Sequence, residues 1–509
     1  MRWLLLLSFC SSLARGQQTA DTVFQAAQAA QARGQQTEAA RQFERALGLY
    51  AQVVSQAAEQ HRTIPALTLQ RYAFALATVG KMEEATQEMK AASATEPKNA
   101  TLHDSVGSLY AQQQQWPSAE AEFSAASHLS PLNAEMHLHL GLAMQAQGEP
   151  GALDEIEHAW KLAPLDEAIA LQYGSALAAT GNDARAVDVL KRLWVRHPAN
   201  VGAEYELALA LQRIDRVPEA VALFEKVLKA QPQNADAMIN MGMALTQQRR
   251  AKDAVPVLQK AVELAPQSVT ALEDLAAAYV QLNQFDDAVL QLQQALRLAP
   301  DMPQLHYDLG LAYKMQDDAA HATPELQRAE ALDPKAPEAP LALGMLYMQG
   351  GLYEDAAREL AASLAMRPQN GDAWATLGSV YNKLNRLPEA QTALHNAIQQ
   401  LPEQPDPHLT LAAVYVKEGK TADAVAERKE AAELMRGNMN RQRAEVATHS
   451  AESLLRSGDL AGATQQFKDA LGFDASYKDA HTGLAKVYEA QGKRAEAAAE
   501  RAKASASKP

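Results

Sequence analysis

The chain has 509 residues, of which 47% are apolar but only 6% aromatic, enough for a sizeable core. Its Ala, Gln and Leu content favours helix over strand. The formal charge of −14 is spread along the chain, which excludes a general nucleic-acid binder, because phosphates call for a basic face.

In chain order, Arg2 supplies a minimal positive region, and Trp3 to Cys10, with Leu4 to Leu7, an apolar stretch. Ala14-Arg15-Gly16 then offers a cleavage site, so residues 1–16 read as a signal peptide cut near Gly16. The stretch is too short to span a bilayer, and no later one reaches eighteen uninterrupted apolar residues. The expectation is an exported chain without an integral membrane span, in a bacterial periplasm or secreted. Cys10 is a candidate lipid-attachment residue, although Phe9 stands where such signals resemble one another in having a small residue. With the signal removed no cysteine is left, which excludes disulfides, thiolate catalysis and cysteine-ligated zinc.

Residues 17–63 form a first helix pair, with about twelve extra residues near Leu49 to Thr63 that predict a lengthened second helix. Residues 64–436 are the main array. Its prolines stand at Pro97, Pro131, Pro164, Pro198, Pro232, Pro266, Pro300, Pro334, Pro368 and Pro402, a ladder with a period of 34 residues, broken once by 33. A small residue lies 24 positions before most of them, as at Gly107, Gly174, Ala208, Gly242, Ala276, Gly310, Gly344 and Gly378. A large residue follows three positions later, as at Tyr313 and Tyr347, and an alanine twelve later, as at Ala322 and Ala356. These spacings predict two short antiparallel helices per repeat, the small residues admitting close backbone approach. Seven positions after the small residue stands Gly, Asn or Asp, except at Gln114 and Arg249; this is a left-handed helix end. Proline closes the second helix. Residues 437–504 are a C-terminal two-repeat block and cap, set off by a short insertion near Arg436 to Arg443 and a missing proline. Residues 505–509 read as a disordered tail.

The period and the pattern of small residue, Tyr, Ala and Pro resemble the tetratricopeptide repeat family. Trp374, Leu377, Gly378, Tyr381, Ala390, Leu394, Ala397 and Pro402 carry an almost complete match. The resemblance covers most of the mature chain and implies an all-α, right-handed superhelical solenoid of about fourteen antiparallel helix pairs. It also implies that the first helix of each repeat lines a groove, at positions three before and one, four and five after the small residue. Those positions give a partner-binding groove of Leu138, Leu142, Tyr205, Leu209, Ile239, Met243, Tyr307, Leu311, Met315, Leu341, Met345 and Met348. Its flanks are polar at Asp104, Ser108, Ser379, Asn382, Lys383 and Lys417. No repeat has lysine three before the small residue, so the clamp by which some members grip a peptide carboxylate is absent. A row of Leu, Met and Tyr suits a protein or peptide with an apolar or amphipathic segment; packing of the same residues between neighbouring repeats is the alternative.

No His-Glu-x-x-His helix, nucleophile elbow or phosphate loop occurs, and the repeats leave no room for a separate catalytic domain. No enzyme, no metal and no cofactor is expected. Three readings follow: an exported interaction scaffold in envelope assembly or secretion, a chaperone-like holder of unfolded or lipidated clients, and, behind both, the regulatory arm of a glycosyltransferase-type enzyme. The oligomeric state stays open.

Overall fold

The computed structural model describes residues 2–506, with side chains from residue 14 onward. The expected signal segment is therefore described only in part: Met1 and the side chains of residues 2–13, Cys10 among them, lie outside the described residues, as do residues 507–509 of the expected tail. Among the described residues all regular structure is helical, in 27 helices joined by short turns. The chain divides into two compact bodies, Met1–Pro266 and Gln267–Pro509; the first is built of seven antiparallel helix pairs, the second of thirteen helices, one of which, Thr421–Ser457, belongs to two successive pairs.

A typical repeat pairs a first helix of 13 residues with a second of 14, as in Pro303–Met315 and Ala319–Leu332. The small residue of the first helix sets the separation. A Cβ at Gly310 would come within 2.7 Å of Leu326 Cγ, and one at Gly344 within 2.7 Å of Leu360 Cγ. Both leucines are completely buried, as are the repeating alanines Ala322 and Ala356. The two helices thus meet over glycine, a large side chain of the second filling the space a first-helix side chain would take.

The turn between paired helices has one conformation throughout. The residue seven after the small position has positive φ in every repeat, whether it is Gly351 (75°), Asn385 (59°) or Asp317 (59°). Gln114 and Arg249, the two exceptions in the pattern, adopt it as well, each at φ 57°. The next residue then donates back to the carbonyl five positions earlier, as in Leu352 N to Tyr347 O at 2.9 Å and Arg250 N to Leu245 O at 2.9 Å. This bond satisfies a carbonyl that the helix end leaves free.

Two helices depart from the pattern. Gln36–Glu59 has 24 residues and keeps burying side chains (Tyr50, Val53 and Ala57) along its extra length. Thr421–Ser457 has 37 residues and runs unbroken across the 436/437 boundary expected from the sequence. It has no terminal proline, and Gly437 lies within the helix, so nothing stops it. Its two ends serve successive repeats, with Ala431 and Ala444 both fully buried. The last helix, Arg494–Ala506, continues two residues into the segment expected to be tail, since Ala504 is still buried and Ser505 Oγ donates to Arg501 O at 2.9 Å.

Candidate binding surface

The first helices present the candidate residues, and each body is taken by itself. In the C-terminal body, Pro303–Met315 contacts the next first helix, Glu338–Gln349. Gln304, Asp308, Leu311 and Met315 follow one another at helical spacing along one stripe. Tyr307 and Leu311 lean on a core containing Leu326, Leu343 and Leu346. Leu341 and Met348 lean on the neighbouring core of Leu360, Leu364 and Leu377. The stripe is therefore anchored from below, while Met315 and Met345 stand out, 56% and 37% exposed. These six residues come together as one apolar strip.

In the N-terminal body, Val201–Arg213 contacts Ala235–Gln247. Tyr205, Leu209 and Met243 are half-buried there. The Tyr205 ring meets Phe224 edge to face at 6.1 Å, and its oxygen accepts from Asn240 Nδ2 at 3.1 Å. Ile239 and Leu138 are buried, each 8% exposed, so both belong to the wall rather than to an open surface. Leu142, half-buried, lies on Ala134–Ala146, which the intervening first helix Glu167–Ala179 separates from the Tyr205 group. The polar flank is partly tied up. His139 Nδ1 lies 2.7 Å from Asp104 Oδ1, a bond that raises the imidazole pKa against the opposing effect of burial. In the C-terminal body, Lys417 Nζ donates to Asn382 O at 2.6 Å.

The groove positions read from the sequence omitted Leu409 and Val416 on Pro405–Lys417, which are 39% and 52% exposed. They occupy the same registers, three before and four after Ala412, so the register alone could have found them. Three carboxylates were missed as well. Glu273 and Asp274 on Val269–Gln281 and Asp308 on Pro303–Met315 are half-buried. Burial pushes Asp274 up to about 7, with Glu273 adding to it, and burial also raises Asp308. Asp274 Oδ2 is buried with no hydrogen-bond partner among the described residues.

Five histidines form a second pattern. His103, His137, His306, His408 and His481 share one register, four before the small residue. Each places Nδ1 at 2.5–2.7 Å from a glutamate of the second helix: Glu122, Glu155, Glu325, Glu427 and Glu500. In His103, His137 and His306, Nε2 also faces the carbonyl of the preceding repeat's proline, at 2.9–3.2 Å. Trp374 holds this register in its repeat and donates from Nε1 to Pro368 O at 2.9 Å. These histidines are clasps between a first helix, its second helix and the turn before them. Aligning the repeats on the proline ladder would have shown four of them, six residues after Pro97, Pro131, Pro300 and Pro402; His481 holds the same place after Ala475. Among the described residues, no group of three or more His, Cys, Asp or Glu is placed to hold a metal ion, and no helix is long and apolar enough to cross a membrane.

Residues 107–152, 205–269 and 341–405 match a family model described as tetratricopeptide repeat, and residues 276–317 match one described as TPR repeat. Among solved structures the chain is similar to MamA from Desulfovibrio magneticus RS-1, residues 41 to the end, with 25% identity over 33% of this chain and 95% of that one and a TM-score of 0.32. It is also similar to YrrB, described as a TPR protein with an unusual peptide-binding site (26% identity, 38% of this chain, 97% of that one, TM-score 0.32). A third similarity is to the APC/C hetero-tetramer Cut9-Hcn1 (15% identity, 85% and 91%, TM-score 0.38). No curated protein matches the chain. The matched segments fall in both bodies, and over them the chain is similar to tetratricopeptide repeats, which imply a protein–protein interaction scaffold.

Proposed function

We propose that the chain is an exported scaffold that holds a partner protein by the apolar strip on its first helices, in a bacterial envelope or secretion setting. The observation that carries this reading is the strip of Tyr307, Leu311, Met315, Leu341, Met345 and Met348, which is anchored in the core yet open at Met315 and Met345. Apolar side chains held out on adjacent helices lose water contact only when a partner covers them. Export rests on the sequence of residues 1–16. A cut after Gly16 would leave in place the contacts of Gln17 with Thr68 and of Asp21 with Tyr50 and Arg71, and the burial of Ala20 and Phe24.

The exposed methionines favour one alternative, a holder of varied clients, because methionine adapts to many shapes. Crosslinking in the native envelope, followed by identification of what is bound, separates the two: one partner supports the scaffold, a heterogeneous set the holder. The strip itself is tested with Leu311→Glu/Met345→Glu. Loss of the crosslinked partner from a variant with unchanged helical content is expected, and undiminished capture refutes the reading. Sequencing the N-terminus of the fractionated protein tests the cut near Gly16.

A further inference from the structure

The apolar strip of the C-terminal body has a charged end. Asp308 lies in the same helical stripe as Leu311 and Met315, and its Oδ1 accepts from Gln304 Nε2 at 2.9 Å. Asp274 occupies the equivalent register one repeat earlier, two before Ala276, with Glu273 beside it. None of the three carboxylates is in an ion pair among the described residues, and Lys314, the lysine of the Pro303–Met315 helix, pairs with none of them.

Ordinary helix economy does not account for them. All three lie beyond the first turn of their helices, where an N-terminal carboxylate is no longer repaid by the helix dipole. Glu273 is raised by burial and by Asp308, so the group repels itself as well as losing water. The corresponding residue in the repeat before is the neutral Asn240, and in the repeat after Asp308 it is Ala342. Within the C-terminal body the charge at this register is confined to two adjacent repeats, at the end of the strip where Tyr307 stands; Glu206 holds it again in the N-terminal body. There an open cavity of about 330 Å³ is lined by Gln304, Tyr307, Asp333, Ala336 and Glu338 among others.

We propose that this strip takes an amphipathic segment of a partner protein whose apolar residues are flanked at one end by Lys or Arg, the cations meeting Glu273, Asp274 and Asp308. The inference rests on the reading of the strip as the partner-binding surface and adds the charge of what it binds. Apolar contact supplies the burial, and the carboxylates select among apolar segments by sign of charge.

The test uses the full mature chain and three labelled helical peptides of about 18 residues, or five turns, with one Leu/Met face. Their flanking residues at one end are Lys, Gln or Glu. Binding is read by fluorescence anisotropy, with circular dichroism confirming the fold of each variant. The expected order of affinity is Lys, then Gln, then Glu. Asp274→Asn/Asp308→Asn lowers affinity for the Lys peptide by about tenfold and leaves the Gln peptide unchanged, in keeping with two partly desolvated charge contacts. Leu311→Glu weakens binding of both the Lys and the Gln peptides. If all three peptides bind alike, or if the double variant binds the Lys peptide as tightly as the parent does, the charge inference is overturned while the strip survives. If Leu311→Glu leaves binding of the Lys and Gln peptides unchanged, or no peptide binds, the strip reading falls and the charge inference with it.

Discussion

Replacing Arg249 or Gln114 with glycine should stabilise the N-terminal body, although each change deletes a side chain. Both residues end a first helix at φ 57°, in the turn where most repeats use Gly. Holding an L-residue in the left-handed region costs about 1–2 kcal/mol, because Cβ crowds the following carbonyl. Glycine removes that cost but makes the unfolded chain freer, which takes back about 0.4–1 kcal/mol. The net expectation is a gain of about 0.5–1 kcal/mol for each site. Neither side chain offsets it: both are exposed, and no ion pair or side-chain hydrogen bond of theirs is present among those described. The double variant should therefore raise the urea midpoint of the N-terminal body and its thermal midpoint, by about 2–4 °C per kcal/mol for a body of this size. Stability in a repeat array is largely a sum of local terms, so hydrogen exchange supplies the sharper assay. Amides of Ala235–Gln247 and Ala251–Leu264 should gain protection in Arg249→Gly, while those of the C-terminal body do not change. Gly351→Ala is the converse control: φ is 75° and a Cβ there meets nothing within 4 Å, so its loss of about 1 kcal/mol is backbone strain alone. A neutral Arg249→Gly beside a destabilising Gly351→Ala would mean that Arg249 is held by something other than its turn. If both are silent, the conformational argument itself is wrong.

Two further predictions concern buried polar groups. His306→Ala breaks a clasp with Glu325 and Pro300 O and leaves a half-buried carboxylate behind, costing about 2 kcal/mol in urea denaturation. Because the repeat with Trp374 has Ala393 where Glu325 stands, His306→Trp/Glu325→Ala should recover more stability than either single change, and a double-mutant cycle reads the coupling. Asp274, pushed up to about 7 in the fold, stabilises the folded form most when protonated. Its contribution is complete below the ordinary carboxylate range and is lost as pH rises through about 7. The C-terminal body should therefore be about 1–2 kcal/mol less stable at pH 8 than at pH 5 from this group, a figure discounted for its partial exposure. Asp274→Asn should flatten that slope in urea titrations at successive pH values; an unchanged slope would assign it to other groups. His139, raised by its bond to Asp104, adds a slope of the same sign in the N-terminal body, which Asp274→Asn leaves in place.

What could be read from the sequence, and what could not, follows from how far each feature reaches along the chain. The helix pairs were legible because proline and the small residue act within one helix or one turn, and their spacing repeats. The left-handed turn was legible for the same reason. Its two exceptions show the limit of composition: Gln114 and Arg249 take a conformation their residue types disfavour, because the packed helices on either side leave the chain no other path. Exposure was the hardest part to read. Leu138, Ile239, Met315 and Met345 all stand at nominal groove positions, yet two are buried and two stand out. The two buried ones stand three before the small residue and the two exposed ones five and one after it, yet Leu409, also three before, is 39% exposed, so register alone does not fix exposure. The histidine clasps and the carboxylates beside Tyr307 join residues of different helices, so they appear only when repeats are compared register by register. Read that way, Asp274, Asp308 and Ala342 hold one register in successive repeats of the C-terminal body, and the carboxylates stand out there as a departure from the repeat that neither the fold nor the helix ends require.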